Sequence, residues 1–341
     1  MPKEIIILGS TGSIGKSILK IINRNKKDFK IKLLSTNNNI SLIYSQANKF
    51  NVNRVVINNV TKYEKYKKKF KKRKIKVFFK IKDAVKNFKK KVYYTINGIS
   101  GINGLEPTIN VIPHTKNIAI ANKESIICAW NLIEKKLKKN KTKFIPVDSE
   151  HFSIWSLLNN ESTSNVEKII ITASGGPFLN LKLEKFKNVK SKDAVKHPNW
   201  RMGNKISVDS STLMNKVFEV IEANKLFSID FKKIDILIHP QSLVHAIVKL
   251  KNGLYKFLYF ETDMSIPIGN ALFENDFEVK KFLNKENKFD KTNSINDLNF
   301  LKVDEKKFPA IKLKPILDKY NSLPIVLNAA NEIFVDQFLK K

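Results

Sequence analysis

An α/β fold class is predicted for this 341-residue chain by two observations. Short apolar runs alternate with amphipathic stretches through the first third, and that alternation implies a parallel sheet with right-handed crossovers. A glycine turn, Gly9-Ser10-Thr11-Gly12-Ser13-Ile14-Gly15, directly follows the first apolar run. In order, 5–8 is expected as a strand, 16–25 as a helix and 31–34 as the second strand. Further strands are expected at 54–57, 77–80, 92–96, 117–120 and 144–147. Gly and Pro then cluster between Ser174 and Gly203, where loops are expected, and a helix is expected over 212–225. Strands at 244–249 and 256–261 flank a turn at Asn252-Gly253. The charged, Asn-rich stretch 274–304 reads as a linker, and helices are expected at 309–319 and 326–339. Three parts follow: 1–147, 148–285 and 286–341.

Composition bounds the function. With 42% hydrophobic and 28% charged residues the chain suits a globular protein, not disorder along its length. No apolar run approaches the roughly 18–20 residues that cross a bilayer. Only Lys3 precedes the apolar stretch at Ile5 and no small-residue cleavage site follows, so no signal peptide is expected. Cys128 is the single cysteine, which excludes an internal disulfide and suits a reducing compartment; a cytoplasmic location is expected. The net charge of +32 raises a nucleic-acid reading, but only four of the 63 basic residues are Arg. Lys, Asn, Ile and Phe share A/T-rich codons, so base bias accounts for the excess. The densest run, 62–76, reads as a solvated helix face leading into a strand.

Four segments carry chemistry. The glycine turn sits between strand and helix, where backbone N–H groups hold a pyrophosphate. Its GxxGxxG spacing departs from GxGxxG, and the βαβ context makes it a dinucleotide site of Rossmann type. Ser35-Thr36-Asn37-Asn38-Asn39 offers no acid for a ribose diol, which points to NADP over NAD, and no base for a 2′-phosphate either. In Val147-Asp148-Ser149-Glu150-His151, strand alternation places Asp148 and Glu150 on one face. They form either an ordinary surface pair or oxygen donors for Mg²⁺ or Mn²⁺ in preference to Zn²⁺. His151 is expected to point away as a structural residue.

Ser210 is placed to cap the helix at 212–225, with Asn215, Lys216 and Glu219 on one face of it. That face is either a surface ion-pair set or a substrate site, with Glu219 as third oxygen ligand and Lys216 on an anionic substrate. Ala173-Ser174-Gly175-Gly176-Pro177-Phe178 exposes backbone N–H groups as an anion nest. His197-Pro198-Asn199-Trp200-Arg201-Met202-Gly203 is either a lid or a packed aromatic anchor.

Taken in order, several strings resemble the 1-deoxy-D-xylulose 5-phosphate reductoisomerase family. They are LGSTGSIG near the start, ANKES at 121–125, PVDSEH at 146–151 and ASGGPF at 173–178. HPNWRMGNKISVDSSTLMNK at 197–216, HPQSLVH at 239–245 and LNAANEI at 327–333 complete the set. The resemblance implies an NADPH- and metal-dependent oxidoreductase and isomerase of isoprenoid precursor biosynthesis, working as a homodimer. It would convert 1-deoxy-D-xylulose 5-phosphate to 2-C-methyl-D-erythritol 4-phosphate.

It implies Asp148, Glu150 and Glu219 as ligands of Mg²⁺ or Mn²⁺ and, with Lys216, as the catalytic set. Lys123, Ser149, Glu150, Ser174, His197, Ser210, Asn215, Lys216 and Glu219 would contact the sugar phosphate. Thr11, Gly12, Ser13, Ile14, Asn39, Asn122, Glu124 and Gly203 would contact NADPH, and Trp200 and Met202 would belong to a flap. Two departures stand out. Where relatives carry a Gly-Lys/Arg-Asn type segment this chain has Asn37-Asn38-Asn39, so a weaker 2′-phosphate contact is expected. Relatives also continue beyond LNAANEI, so a shortened C-terminal helical segment is expected. The rival functions are another NAD(P)-dependent oxidoreductase of a small phosphorylated substrate and a basic nucleic-acid-binding protein that keeps the fold.

Overall fold

The computed structural model describes residues 1–200, 202–273, 277–279 and 298–340. Much of the expected linker at 274–304 therefore lies outside the described residues. Two compact units form. One holds Met1–Val147 with the described part of Pro267–Lys285, the other Asp148–Ile266 with the described part of Glu286–Lys341.

The first unit is a seven-stranded sheet built from β1 (Lys3–Leu8), β2 (Phe29–Thr36), β3 (Arg54–Ile57), β4 (Lys76–Phe78), β5 (Val92–Asn97), β6 (Thr115–Ile120) and β7 (Lys143–Phe144). Its order is β4-β3-β2-β1-β5-β6-β7 with every pair parallel. Between the strands run α1 (Ser13–Arg24), α2 (Ile40–Lys49), α3 (Val60–Lys71), α4 (Ile81–Val85), α5 (Leu105–Val111) and α6 (Lys123–Asn140). The α/β expectation holds for a physical reason. Ile5, Ile6, Ile7 and Leu8 are all fully buried, so β1 needs cover on both faces, which a parallel sheet with crossover helices supplies. In the lysine-rich stretch, α3 buries Phe70 and turns Lys65, Lys68, Lys69 and Lys71 outward, as expected, while Lys62 and Lys67 are half-buried.

The chain reverses neighbours at β1, the sheet's switch point, and the glycine turn lies there at the carboxyl end of β1. Gly9 takes φ +72°, and a Cβ on Gly15 would stand 2.5 Å from the Gly9 carbonyl oxygen, so α1 can approach β1 only through glycine.

The second unit holds a four-stranded sheet of β8 (Val166–Ala173), β9 (Ile234–Ile238), β10 (Val244–Leu250) and β11 (Tyr255–Tyr259) in the order β11-β10-β8-β9. β8 and β9 are parallel and the other pairs antiparallel. Gly253, at φ +87°, turns β10 into β11 where Asn252-Gly253 predicts it. Helices α7 (Ser149–Leu157), α8 (Ser191–Ala194), α9 (Asn204–Ser211), α10 (Met214–Phe227) and α12 (Leu323–Lys340) belong to this unit. A further helix, α11 (Ser265–Phe273), crosses from it into the first. Val335 of α12 packs with Val208 of α9 and with Phe178, and Asn331 donates to the buried Asp209 carboxylate at 2.7 Å.

Three sequence expectations need correction. The strand at 144–147 ends at Phe144, because Pro146 has no N–H to give a ladder and Asp148 instead caps α7. The helix at 212–225 is preceded by a separate helix, with a break at Leu213, which sits at φ +60°. The segment 309–319 is not α-helical but a run of 3₁₀ turns over Pro309–Ile316, since Pro315 lacks the N–H an α-helix would use.

Gly15→Ala should lower unfolding stability by about 1–3 kcal/mol through overpacking at the β1–α1 turn. Urea unfolding checks it, and an unchanged midpoint would show that the close approach is not a constraint.

Candidate active site

Asp148 is the cap of α7, accepting from the Glu150 N–H at 3.3 Å, and Glu150 lies in the helix's first turn. The two carboxylates therefore converge through a helix cap, not through the strand alternation expected from sequence. α10 brings the third: Glu219, 1% exposed. Asp148, Glu150 and Glu219 each offer an oxygen, and these lie within 4.8 Å of one another. Lys216, three residues before Glu219, donates to Glu150 Oε1 and lies 2.7 Å from Glu219 Oε2. Asn215 donates its amide to Glu219, while its buried Oδ1 has no partner among the described residues. The Ser149 hydroxyl donates to Glu150. The surface ion-pair alternative is excluded, because Glu150, Asn215, Lys216 and Glu219 are all buried.

Charge in this pocket is only partly offset. Burial works to lower the Lys216 pKa, but the Glu150 and Glu219 carboxylates outweigh it and hold the ammonium charged, well above its ordinary range. Three carboxylates against one ammonium leave a net negative site lined with hard oxygen donors. A divalent cation of the Mg²⁺ or Mn²⁺ kind fits that donor set, and the partnerless Asn215 Oδ1 offers one more oxygen.

His151 is the residue that sequence reasoning missed. It does not point away: buried, it sets Nε2 3.0 Å from the Glu219 carbonyl and Nδ1 3.3 Å from Asp148 Oδ1. Burial pushes its pKa down, but Glu222, Asp148 and Glu219 raise it to about 10. The available signal was the i,i+3 spacing from Asp148, legible only once Asp148 is seen to start a helix.

The loop segments meet at Ser174. His197 Nδ1 accepts from the backbone N–H of Asn199 at 3.2 Å and of Trp200 at 2.9 Å. That leaves Nε2 to carry the proton and donate to Ser174 Oγ at 3.0 Å. Gly176 N–H also donates to Ser174 Oγ, at 3.0 Å, so the Ser174 hydroxyl proton is left for an acceptor in the site. Burial and the Lys216 ammonium lower the His197 pKa to about 4 against the pull of Glu150, so the ring is neutral near pH 7. Gly176 abuts α9: a Cβ there would stand 2.9 Å from the Ser210 carbonyl oxygen.

Ser210 lies in the last turn of α9, not at the cap of α10; the cap position falls on Leu213, and Thr212 Oγ1 before it accepts from Met214 N–H at 3.3 Å. Trp200 packs edge-on to His245 at 5.8 Å, and His245 in turn lies against Phe260 at 4.2 Å with the rings tilted by 35°. Asn199 anchors the segment by donating to the Pro240 carbonyl at 2.7 Å and to Ser242 Oγ at 3.1 Å. Met202 is half-buried, and Gly203 forms the exposed cap of α9.

The remaining expected positions belong to the first unit. Thr11, Gly12, Ser13 and Ile14 form the turn and start of α1. Asn39 caps α2, accepting from Leu42 N–H at 3.1 Å. Asn122 caps α6 and donates to the carbonyls of Ile99 at 2.8 Å and Gly101 at 2.9 Å, with buried Lys123 and Glu124 following. All three groups sit at carboxyl ends of parallel strands, where a dinucleotide binds such a sheet. The turn fits one: Gly12 caps α1 without a side chain, which lets an anion approach the first N–H groups.

Known proteins resemble this chain along its length. The family described as 1-deoxy-D-xylulose 5-phosphate reductoisomerase matches residues 5–130, and its C-terminal domains match 144–227 and 261–341. A Pelagibacter ubique protein of that name is 51% identical over 99% of this chain and 86% of its own length. One from Wolbachia pipientis is 43% identical over the same shares. The Zymomonas mobilis enzyme solved with NADPH superposes with a TM-score of 0.87 at 33% identity, covering all of this chain and 87% of that one. A structure with NADPH, fosmidomycin and magnesium gives 0.88 at 30% identity, over 99% of this chain and 85% of that one.

Two predictions follow from the charges. Lys216→Met leaves Glu150 and Glu219 facing each other without their cation, and should destabilise the metal-free protein by about 3–5 kcal/mol. Urea unfolding in EDTA and then in excess Mg²⁺ checks it, with magnesium recovering part of the loss. His197 and His245 both sit near 4 because burial opposes their charge. Between about pH 6.5 and 4 the unfolded chain therefore binds more protons than the folded one, and stability falls as pH falls through that window. His245→Gln should make the acid limb of a pH–stability curve shallower; an unaltered limb would refute the assignment.

Proposed function

The chain belongs to the 1-deoxy-D-xylulose 5-phosphate reductoisomerase family, and on that premise we propose that Asp148, Glu150 and Glu219 seat the metal and that Lys216, Asn215, Ser210 and Ser174 hold the substrate. The protein is an NADPH- and divalent-metal-dependent enzyme that rearranges and reduces 1-deoxy-D-xylulose 5-phosphate to 2-C-methyl-D-erythritol 4-phosphate in isoprenoid precursor synthesis. The observation carrying the site assignment is the cluster of three carboxylate oxygens within 4.8 Å, with Glu150 and Glu219 buried and Asp148 half-buried.

When bound there, the cation supplies Lewis-acid polarisation of the substrate's hydroxyketone, and NADPH supplies the hydride. The chain's own residues orient and shield. Ser174, with its oxygen already accepting from His197 and Gly176, donates its hydroxyl proton to a phosphate oxygen. His197 stays neutral, so it orients Ser174 without adding charge. Lys216 brings a fixed positive charge whose retention is ensured by Glu150 and Glu219. Asn215 presents Oδ1 toward a donor or cation. Ser149 donates to Glu150 and keeps that carboxylate aimed at the cluster. Trp200, braced on His245, and Met202 are suited to covering the substrate and excluding water. Lys123 completes the substrate contacts. Thr11, Gly12, Ser13, Ile14, Asn39, Asn122, Glu124 and Gly203 take NADPH.

Residues 1–147 form the nucleotide-binding domain, 148–285 the catalytic and pairing domain, and 286–341 the C-terminal segment of this reading. The enzyme works as a cytoplasmic homodimer. Support for the location is the lone Cys128. Support for pairing is the edge strand β11, whose Tyr255 and Phe257, with the neighbouring Leu254, stay exposed on the single chain.

NADPH absorbance should fall with 1-deoxy-D-xylulose 5-phosphate and Mn²⁺ or Mg²⁺, and stop with EDTA. Glu150→Gln should cut kcat by more than about a hundredfold, the scale of losing a metal's charge stabilisation. Full activity in that variant would remove the carboxylate cluster from the mechanism.

A further inference from the structure

The turn after β2 carries no basic side chain, yet the fold brings one to it. Lys62, in the first turn of α3, reaches back so that Nζ donates to the Asn38 carbonyl at 2.8 Å. Asn59, the cap of α3, fixes the arrangement from both sides. Its Oδ1 accepts from Lys62 N–H at 3.0 Å and its Nδ2 donates to Asn38 Oδ1 at 3.1 Å. Beside these residues lies a shallow, solvent-open groove of about 430 Å³ lined by Asn38, Asn39, Ile40, Ser41, Lys62 and Tyr66. No carboxylate lines it, and Glu64, the nearest acid on α3 in sequence, is paired with Lys67. The groove wall is joined to the glycine turn: the Thr11 and Thr36 hydroxyls lie 2.8 Å apart, and Asn39 N–H donates to Thr36 Oγ1 at 3.3 Å.

We propose that Lys62 binds the 2′-phosphate of NADPH in this chain, taking over the role of the base missing from Asn37-Asn38-Asn39. The inference rests on the glycine turn holding the cofactor's pyrophosphate. From that turn the adenosine ribose extends toward the end of β2, as in any sheet of this topology. An ammonium has three donors, so Lys62 can keep its bond to Asn38 and still present two protons to a phosphate oxygen. With no carboxylate in the lining, the unphosphorylated 2′,3′-diol of NADH finds no strong acceptor there. On this proposal the groove selects NADPH through one lysine delivered by a neighbouring helix, which offsets the weaker 2′-phosphate contact expected from the sequence.

The test measures dissociation constants of NADPH and NADH by cofactor fluorescence, without substrate, for the wild type, Lys62→Ala, Lys62→Arg and Lys68→Ala. Lys62→Ala should raise the NADPH constant about tenfold, the scale of one charge-assisted hydrogen bond, and leave that of NADH unchanged. Lys62→Arg should retain most of the affinity, and Lys68→Ala, on the same lysine-rich helix, should change neither constant. Equal shifts for NADPH and NADH, or an equal effect from Lys68→Ala, would overturn the proposal, since bulk positive charge would then explain the binding. A wild type that binds no NADPH would sink the nucleotide site itself. A wild type that binds and oxidises NADPH, with Lys62→Ala indistinguishable from it, would overturn the role of Lys62 alone.

Discussion

Carboxylates brought within 4.8 Å of one another in a buried site repel strongly, and the second unit is organised around relieving that repulsion. Glu219 sits on α10 where Lys216 lies one turn earlier on the same face, so the ammonium reaches both Glu219 and Glu150. His151 adds a second cation from the side of Asp148 and ties α7 to the α10 backbone at Glu219. The residual negative charge suits a divalent cation. Buried polar clusters of this kind are costly where a member stays unsatisfied, as Asn215 Oδ1 does among the described residues. Each element that supplies a member is accordingly anchored by apolar burial, as with Val217, Phe218, Val220 and Ile221 around Glu219.

The loops at Ser174 and His197 depend on the same helices. Gly176 lets the Ser174 loop rest directly on the Ser210 carbonyl, an approach that any side chain would block. α12 closes the far side of α9 through Val335 and through the Asn331–Asp209 bond. A residue near the end of the described chain thereby contributes to where Ser210 stands. His197 is placed by its own backbone neighbours, which set its tautomer and leave a single proton for Ser174.

In the first unit the logic is topological. Parallel strands align their carboxyl ends, so the turn after β1, the turn after β2 and the start of α6 come to one edge of the sheet although they are far apart in sequence. The same alignment places α3 beside α2, which is how Lys62 reaches the Asn38 turn.

Local chemistry was legible in the sequence wherever it depends on neighbours along the chain. The fully apolar run of β1, the glycines of the β1–α1 turn, the Asn-Gly reversal and the shared face of Asn215, Lys216 and Glu219 are all short-range patterns with one physical outcome. Pairing of Asp148 and Glu150 was legible as well, but by the wrong device. Alternation in a strand and capping of a helix both bring residues i and i+2 together, and only Pro146 and the Asp148 cap decide between them. The break at Leu213 was not legible, because a left-handed leucine carries no local signature and persists only where packing compels it. Nor were the contacts of His151 with the Glu219 carbonyl, of Asn331 with Asp209 and of Lys62 with Asn38. Each joins elements whose spacing in the chain carries no information about their distance, and only burial of the intervening apolar faces sets that distance.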